Sequence, residues 1–339
     1  PGFALFLGGA AFIWCLFALH RPMFTQWDEF TAWGLAPKMV VERAAFYVAD
    51  PVNLKASFTY PATSLVTFLF QPFGSWAEWA CLAALDTLAL ACVAAASALP
   101  RPQWAGGILV YGAGVVLPFF FSNNPAGSYA PQYANAMADL PLAMLFGGAL
   151  CLYYSVGHRR RAFWLTALPL MLLTLTKDIC FAYGLIAAFL IGLDQLITAD
   201  KPIKQSFPRA FLRAGGLAVC VVAAFVSWSR YTAAVTPTVD TGASVGSAGL
   251  SYGAVLTGGV KQLLGIGRDD KFAQIMAAMG DAFFTRRICL LGGGIMAVAV
   301  VTMVAAAALF AAEKGPARRR VLMAHLAFAF CFAALYAFH

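Results

Sequence analysis

The chain has 339 residues, of which 61% are hydrophobic and only 11% are charged. Soluble domains carry about 25% charged residues, so this composition excludes a soluble globular protein and indicates a polytopic helical membrane protein. The formal net charge of +8 needs no nucleic acid to explain it, because most of it lies in loops between apolar segments.

The first apolar segment, at about 3–20, is long enough to cross a membrane, which takes about 20 residues. It is followed by two adjacent carboxylates, Asp28 and Glu29, which Trp27 and Trp33 flank. Tryptophan favours the boundary between lipid and water, so we expect this acidic pair close to the membrane surface. A carboxylate there acts as a general base, binds a metal ion or is simply solvated, and this stretch alone leaves all three open.

Two segments that follow the first span are predicted not to cross the membrane themselves. Residues 29–46 alternate apolar and polar positions at near-helical spacing, which predicts an amphipathic helix along the membrane surface, interrupted at Pro37. Residues 60–74 are apolar, but they are too few to cross, and prolines stand near both ends. They predict an interfacial or re-entrant helix on the outer face.

The remaining apolar segments predict an all-α, polytopic transmembrane helical bundle of about nine to ten spans, with interfacial helices on its outer face. The further spans are expected at about 77–99, 104–121, 136–156, 162–176, 179–197, 210–229, 288–312 and 321–338. We expect three parts: a transmembrane module at 1–229 with an outer loop at 21–59, an extracytoplasmic loop or flap at 230–287, and C-terminal transmembrane helices at 288–339. Because the chain starts at Pro1 and stops just after an apolar run, we also expect it to be truncated at both ends.

Polar residues interrupt three of these apolar regions. Asp86 lies in the middle of a span and is expected to hydrogen-bond a Thr or Ser on a neighbouring helix. Asp139 stands at a helix start with Pro141 in the first turn, so a helix-capping carboxylate is the alternative to a functional one. Lys177 lies in a polar turn that breaks the apolar stretch 162–197; it is suited to hold a phosphate as a point charge, or it forms a solvated pair with Asp178.

All eight cysteines lie in or at the edge of apolar segments, and no CxxC pair occurs. This distribution indicates small packing residues rather than disulfides or a zinc site.

Basic residues divide the loops into two sides. Arg101 and the clusters at 159–161, 201–213 and 314–320 fall on one side if 60–74 does not cross. That side carries about half of the basic residues but few of the acidic ones, and such asymmetry marks the cytoplasmic side. The candidate residues on the opposite, outer face are then Asp28, Glu29, Tyr60, Asp139, Lys177 and Arg230.

Four features of residues 1–200 occur together and in order. They are Asp28 in the first outer loop, Tyr60-Pro61 opening the next apolar segment, Ala138-Asp139-Leu140-Pro141-Leu142 at a helix start, and the turn Thr176-Lys177-Asp178. Together they resemble the GT-C superfamily of integral-membrane glycosyltransferases, above all bacterial members related to the mannosyl- and aminoarabinosyl-transferases. The sequence departs from that pattern at Ala62-Thr63, where a second proline is often found, and at Asp178-Ile179, where Asn-Glu is common.

The resemblance implies a GT-C-like fold in the inner (cytoplasmic) membrane, with an active site on its periplasmic or extracellular face. It implies transfer of a sugar from a polyprenyl-phosphate carrier to an acceptor glycan, lipid or protein. Asp28 corresponds to the family's catalytic carboxylate. The residues expected to bind the substrates are Glu29, Tyr60, Asp139, Lys177 and Arg230.

The chemistry of such a transfer agrees with these residue types. The leaving phosphate needs cations, which Lys177 and Arg230 supply, and the acceptor hydroxyl needs a carboxylate base, which Asp28 supplies. One base with direct displacement predicts inversion at the anomeric carbon, since retention needs a second carboxylate as nucleophile. No cofactor is expected, and no divalent metal, because Lys and Arg can neutralise a monophosphate.

Two other functions stay open. A transporter or flippase for a lipid-linked sugar places ionisable residues near the middle of the bilayer between inverted repeats, and here only Asp86 lies mid-span and no repeat occurs. A non-catalytic GT-C-like subunit of a larger membrane assembly agrees with the departures at the lysine turn. The expected partners are membrane lipid and a lipid-linked sugar, and no nucleic acid.

Overall fold

The computed structural model describes residues 2–46, 60–71, 75–97, 104–120, 132–156, 162–197, 199 and 202–235, with isolated helical positions at 261, 274, 277, 281, 300, 303–305, 307–308 and 311–312. All regular structure in these residues is helical. The chain divides into two units, one formed by Pro1–Phe121 and Pro131–Pro237 and the other by Ser122–Ala130 and Thr238–His339. The helices described below belong to the first unit.

Nine α-helices follow one another in the described residues of this unit. They are α1 Gly2–His20, α2 Leu35–Arg43, α3 Ala62–Phe70, α4 Glu78–Ala96, α5 Trp104–Val116, α6 Asp139–Val156, α7 Ala167–Thr174, α8 Cys180–Ile197 and α9 Ile203–Val235. A π-helical turn, Glu29–Trp33, precedes α2, and 3₁₀ turns follow α5 at Leu117–Phe120 and precede α7 at Ala162–Thr166.

Four of these helices are long and apolar enough to cross a membrane: α1, α4, α8 and, from Lys204 onward, α9. Helices α5, α6 and α7 are apolar but shorter. The all-helical fold class is therefore confirmed for the described part of the chain, as is the presence of helices that are long and apolar enough to span a membrane. The predicted spans at 288–312 and 321–338, and the predicted loop beyond residue 235, lie outside the described residues apart from the isolated positions.

Helix α9 extends beyond the predicted span at 210–229 in both directions. Its last three turns contain Ser227, Ser229 and Thr232, whose hydroxyls donate to backbone carbonyls three or four residues earlier, at 2.7–2.9 Å. These polar side chains are satisfied within the helix, so they do not end it. Arg230 therefore belongs to a helix rather than to the predicted outer loop.

Helix α4 is the central helix of the unit, since it packs against α1, α3, α5 and α6. Its segment 80–85 is buried on all sides. Small residues let the neighbouring helices approach closely: at Gly148 of α6, an added Cβ would come within 2.8 Å of the Cβ of Cys92. The six cysteines among the described residues are free thiols, which agrees with their prediction as packing residues.

A buried cluster of polar side chains, which the sequence did not reveal, lies at one end of the unit. This end carries the C-terminal ends of α6 and α8 and the start of α9. The hydroxyl of Tyr153 donates to the carboxylate of Asp194 at 2.5 Å. The guanidinium of Arg213 lies 4.7 Å from the centroid of the Phe163 ring and donates to Gln195 at 3.4 Å. These contacts join α6, α8, α9 and the 3₁₀ turn before α7 at this end.

The short helix predicted at 60–74 forms as α3 and has nine residues. At 1.5 Å per residue it is about 14 Å long, which is less than half of the roughly 30 Å hydrocarbon layer. Ala62, Ser64 and Thr67 are buried, whereas Leu65, Leu69 and Phe70 are exposed, so α3 is buried over part of its surface only. The backbone N–H of Ala62 donates to the carbonyl of Leu175 at 2.8 Å, so the start of α3 is attached to the turn between α7 and α8.

The interruption predicted at Pro37 is wrong, because the helical segment changes from π to α at Gly34 instead. Pro37 lies in the first turn of α2, where a missing N–H costs no hydrogen bond. At Gly34 an added Cβ would come within 2.2 Å of the Phe24 ring and 2.6 Å of the carbonyl oxygen of Glu29. Only glycine allows this approach, and it lets the π-helical turn pack against the loop that follows α1.

Candidate functional site

The loop between α1 and the π-helical turn is held by carboxylates. The backbone N–H of Phe24 donates to Glu78 at the start of α4, at 2.9 Å. The N–H groups of Thr25 and Gln26 both donate to one oxygen of Glu29, each at 2.8 Å. Three consecutive backbone donors are thus satisfied, which fixes the chain immediately before Asp28.

Glu29 is the buried member of the acidic pair, with an exposed fraction of 0%. Its second oxygen accepts the backbone N–H of Ala136, at 2.7 Å, in the segment that leads into α6. Both oxygens are therefore occupied by backbone donors. This geometry favours a structural role for Glu29 over the predicted contact with substrate.

Asp28 is the exposed member of the pair. It stands directly before the π-helical turn with helical dihedral angles, and its side chain does not cap that turn. Within the described ranges its carboxylate accepts no hydrogen bond, and the side chains on either side, Trp27 and Glu29, are exposed and buried respectively. Asp28 is thus a carboxylate on a fixed backbone that is open to a ligand.

Asp139 and Lys177 form an ion pair that joins two of the predicted motifs. Asp139 is the first residue of α6, Lys177 lies between α7 and α8, and the Lys177 Nζ is 3.2 Å from the Asp139 Oδ1. The ammonium also lies 6.0 Å from the centroid of the Trp33 ring, at the edge of cation–π range. The π-helical turn that follows Asp28 therefore reaches the ion pair through its last residue.

Tyr60 and Arg230 belong to the same end of the unit. The Tyr60 ring packs 6.5 Å from the ring of Trp228, and the Trp228 ring stacks on Tyr231 at 5.5 Å with Phe46 edge-on to it at 5.4 Å. Arg230 is exposed between Trp228 and Tyr231 in the sequence of α9. We call the region formed by the π-helical turn, the starts of α3 and α6, the α7–α8 turn and the end of α9 the acidic end.

Asp86 contacts this region from inside the bundle, and its predicted partner is wrong. Instead of a Thr or Ser on a neighbouring helix, its carboxylate accepts the backbone N–H of Ala134 at 3.1 Å. Ala134 has a positive φ of 54°, and the adjacent Tyr133, Asn135 and Ala136 are buried. The segment 132–138 therefore enters the bundle between two carboxylates, Glu29 and Asp86, and does not form a simple surface turn.

Tyr133 anchors the same segment to α5. Its hydroxyl donates to the carbonyl of Val115 at 2.9 Å. Burial, with a contribution from the nearby Asp86 carboxylate, raises the pKa of the Tyr133 phenol above its ordinary value. The phenol therefore stays protonated and keeps this hydrogen bond at any physiological pH.

Sequence reasoning found the residues of the acidic end but missed what holds them. Glu78, Asp86 as a backbone acceptor, and the buried segment 132–138 were not predicted as parts of the site. The one signal in the sequence was Asp86 itself: an ionisable group in the middle of a span needs a partner, so a hydrogen-bond donor was to be expected close to it. Among the described residues, no three His, Cys, Asp or Glu side chains are grouped as metal ligands.

Comparison of the chain with protein-family models, with curated proteins and with solved structures finds no match.

Proposed function

We propose that this protein is a membrane glycosyltransferase that moves a sugar from a polyprenyl-phosphate carrier to an acceptor, with Asp28 as the base. The observation that carries the proposal is the Lys177–Asp139 ion pair beside Trp33, on the turn that begins next to Asp28. A cation and an open carboxylate are the two groups that displacement of a lipid phosphate needs, and one short helical turn connects them.

The cations of the acidic end suit a lipid phosphate. Lys177 has a side-chain exposure of 28%, so it is partly shielded yet reachable, and Asp139 holds it in place before a ligand arrives. Arg230 is exposed at the end of a helix that is apolar enough to cross a membrane. A carrier with its chain in the bilayer would bring its phosphate to this depth, where Lys acts as a point charge.

An open Asp28 beside an occupied Glu29 supports direct displacement with inversion. The retaining mechanism needs a second carboxylate about 5–5.5 Å away that is free to attack the anomeric carbon. Glu29, the neighbour in sequence, has both oxygens engaged by backbone N–H groups and is not available as a nucleophile. Of these two adjacent carboxylates, Asp28 is the one left to take the proton from the acceptor hydroxyl.

The reaction proposed here needs no resident cofactor, because the sugar–phosphate bond of the donor supplies the driving force. Lys177 and Arg230 are the groups that would neutralise the leaving monophosphate. The basic loops at 101 and 159–161 mark the cytoplasmic side by their charge, so the acidic end would face the periplasm or the exterior of an inner membrane.

The test is sugar transfer from a radiolabelled pool of polyprenyl-phosphate sugars, with the purified protein in nanodiscs and a membrane extract as the source of acceptors. We expect the parent protein to transfer label, and Lys177→Gln to raise the KM for the donor by about 10–100-fold, since a hydrogen bond to a charged group contributes about 1.5–3 kcal/mol. Lys38→Gln is the matched control, because the Lys38 side chain on α2 is only 44% exposed and its Nζ lies 3.9 Å from the Glu42 carboxylate, outside the Lys177–Asp139 pair.

Binding of the donor without any transfer by the parent protein would contradict the proposal and favour a non-catalytic subunit or a flippase. Equal donor KM values for the parent and for Lys177→Gln would show that Lys177 does not bind the donor phosphate.

A further inference from the structure

Glu29 connects two segments of the acidic end that are far apart in the chain. One of its oxygens accepts the N–H groups of Thr25 and Gln26, in the loop before Asp28. The other accepts the N–H of Ala136, which is 107 residues away in sequence. Asp28 and Asp139 are thus attached to opposite sides of one buried carboxylate.

We infer that Glu29 is a positioning residue, which sets the separation between the base Asp28 and the phosphate site at Asp139 and Lys177. This inference rests on the proposed function. Glu29 itself touches neither substrate; it acts through the backbone on either side of it.

The path from Glu29 to each functional group is short. Asp28 precedes Glu29 directly, and Ala136 stands three residues before Asp139. Trp33, at the other end of the turn that Glu29 begins, lies 6.0 Å from the ammonium of Lys177. A shift of Ala136 relative to Glu29 would therefore move the ion pair relative to Asp28.

Two other carboxylates hold parts of the same region, but each holds one segment only. Glu78 accepts the N–H of Phe24, in the loop before Asp28. Asp86 accepts the N–H of Ala134, in the segment before Asp139. Among the described side chains, Glu29 is the carboxylate whose hydrogen bonds reach both the loop before Asp28 and the segment before Asp139.

Such a connection has a large effect on a displacement reaction. The base must reach the acceptor hydroxyl while the leaving phosphate is held by its cations, and both conditions apply at once. A misplacement of about 1 Å, made far from the reacting atoms, costs about 10²-fold in rate. Loss of the Glu29–Ala136 hydrogen bond is a misplacement of this kind.

The experiment compares Glu29→Asp and Glu29→Gln in the transfer assay with the purified full chain. Asp keeps the charge but is one methylene shorter, so it can keep the local bonds to Thr25 and Gln26 while losing Ala136. We expect both variants to lower kcat by about 10²-fold with the donor KM changed less than about threefold, because Lys177 is retained. Glu42→Gln, an exposed Glu-to-Gln change on α2, is the matched control and should keep the parent kcat.

A double-mutant cycle separates positioning from a general loss of structure. If Glu29 acts through Asp28, adding Glu29→Gln to Asp28→Asn should lower the residual rate less than about threefold, since the base is already absent. If Glu29 had a structural role independent of Asp28, Glu29→Gln would lower the transfer rate by the same factor in the parent and in Asp28→Asn. That result would overturn the inference.

Amide hydrogen exchange gives a readout that does not depend on activity. In both Glu29 variants the segment 132–138 should exchange at least about tenfold faster, while α8 stays at the parent rate. Unchanged exchange at 132–138, or Glu29→Asp at the parent kcat, would refute the positioning role. Parent-rate transfer by Asp28→Asn would instead refute the proposed function, and the exchange result would still decide whether Glu29 holds the segment.

Discussion

Two adjacent carboxylates in this protein have opposite surroundings. Asp28 is exposed and makes no hydrogen bond within the described ranges, while Glu29 is buried and accepts three. The sequence predicted Asp28 as the base and Glu29 as a substrate-binding residue, but it could not predict how Glu29 is buried, because one of its donors, the N–H of Ala136, lies 107 residues away. At this scale, the Asp28 carboxylate is exposed and open to a ligand, while the Glu29 carboxylate orders the backbone.

The first prediction concerns Asp139, whose charge has two possible uses. Its side chain is 51% exposed, and exposed ion pairs contribute about 0–1 kcal/mol, so Asp139→Asn should lower the free energy of unfolding by less than about 1 kcal/mol. Because Lys177 would lose the partner that holds it, turnover should fall at least about tenfold at unchanged expression. Thermal unfolding and the transfer assay on the same preparation measure both quantities.

Intact turnover in Asp139→Asn would mean that Asp139 only stabilises the start of α6, as an acidic residue at a helix N-terminus does.

At the scale of elements, hydrophobicity predicted the helices better than it predicted their connections. The spans at 3–20, 77–99 and 179–197 agree with α1, α4 and α8 to within a few residues, because length and apolarity alone determine such segments. The entry of 132–138 into the bundle depends on hydrogen bonds to Glu29 and Asp86, which are distant in sequence and which local sequence does not reveal. The interruption predicted at Pro37 was wrong because a proline in the first turn of a helix costs no hydrogen bond, whereas the change of helix type falls at Gly34, which packs closely on Phe24.

The second prediction tests the close packing at Gly34, where the helix changes from π to α. An added methyl group would meet the Phe24 ring at 2.2 Å and the Glu29 carbonyl oxygen at 2.6 Å, so Gly34→Ala should cost about 1–3 kcal/mol of stability through overpacking. Gly8→Ala in α1 is the matched control, since no atom lies within 4 Å of its added Cβ. There alanine should be neutral or stabilising by up to about 1 kcal/mol.

Melting temperatures of the two purified variants compare the sites directly. A Gly34→Ala protein that melts with the parent would show that the loop and the π-helical turn do not approach as closely as described.

At the scale of the molecule, the candidate residues gather at one end although they come from five separate stretches of the chain. The sequence predicted this gathering from the charge of the loops, and the Lys177–Asp139 pair and the Tyr60–Trp228 packing agree with it. The opposite end of the unit contains Asp194 and Arg213 among its polar groups. Which side of a membrane each end faces is a separate prediction from charge asymmetry.

The third prediction fixes that orientation. Thr25 is exposed in the loop after α1, and Gln205 is exposed in the first turn of α9. A membrane-impermeant maleimide added to intact cells should label Thr25→Cys and leave Gln205→Cys unlabelled until the membrane is broken. The parent protein is the control for its native thiols, and labelling of Gln205→Cys in intact cells would reverse the assigned orientation.

The measurement that tests the central claim most directly is the transfer rate of Asp28→Asn. Asparagine keeps the size of the side chain and removes the base, and Asp28 is exposed, so the variant should fold and bind the lipid donor as the parent does. Loss of a general base typically costs about 10²–10⁴-fold, so transfer from a polyprenyl-phosphate sugar should fall by that factor while Glu42→Gln keeps the parent rate. Transfer by Asp28→Asn at the parent rate would show that Asp28 is not the base and would contradict the account.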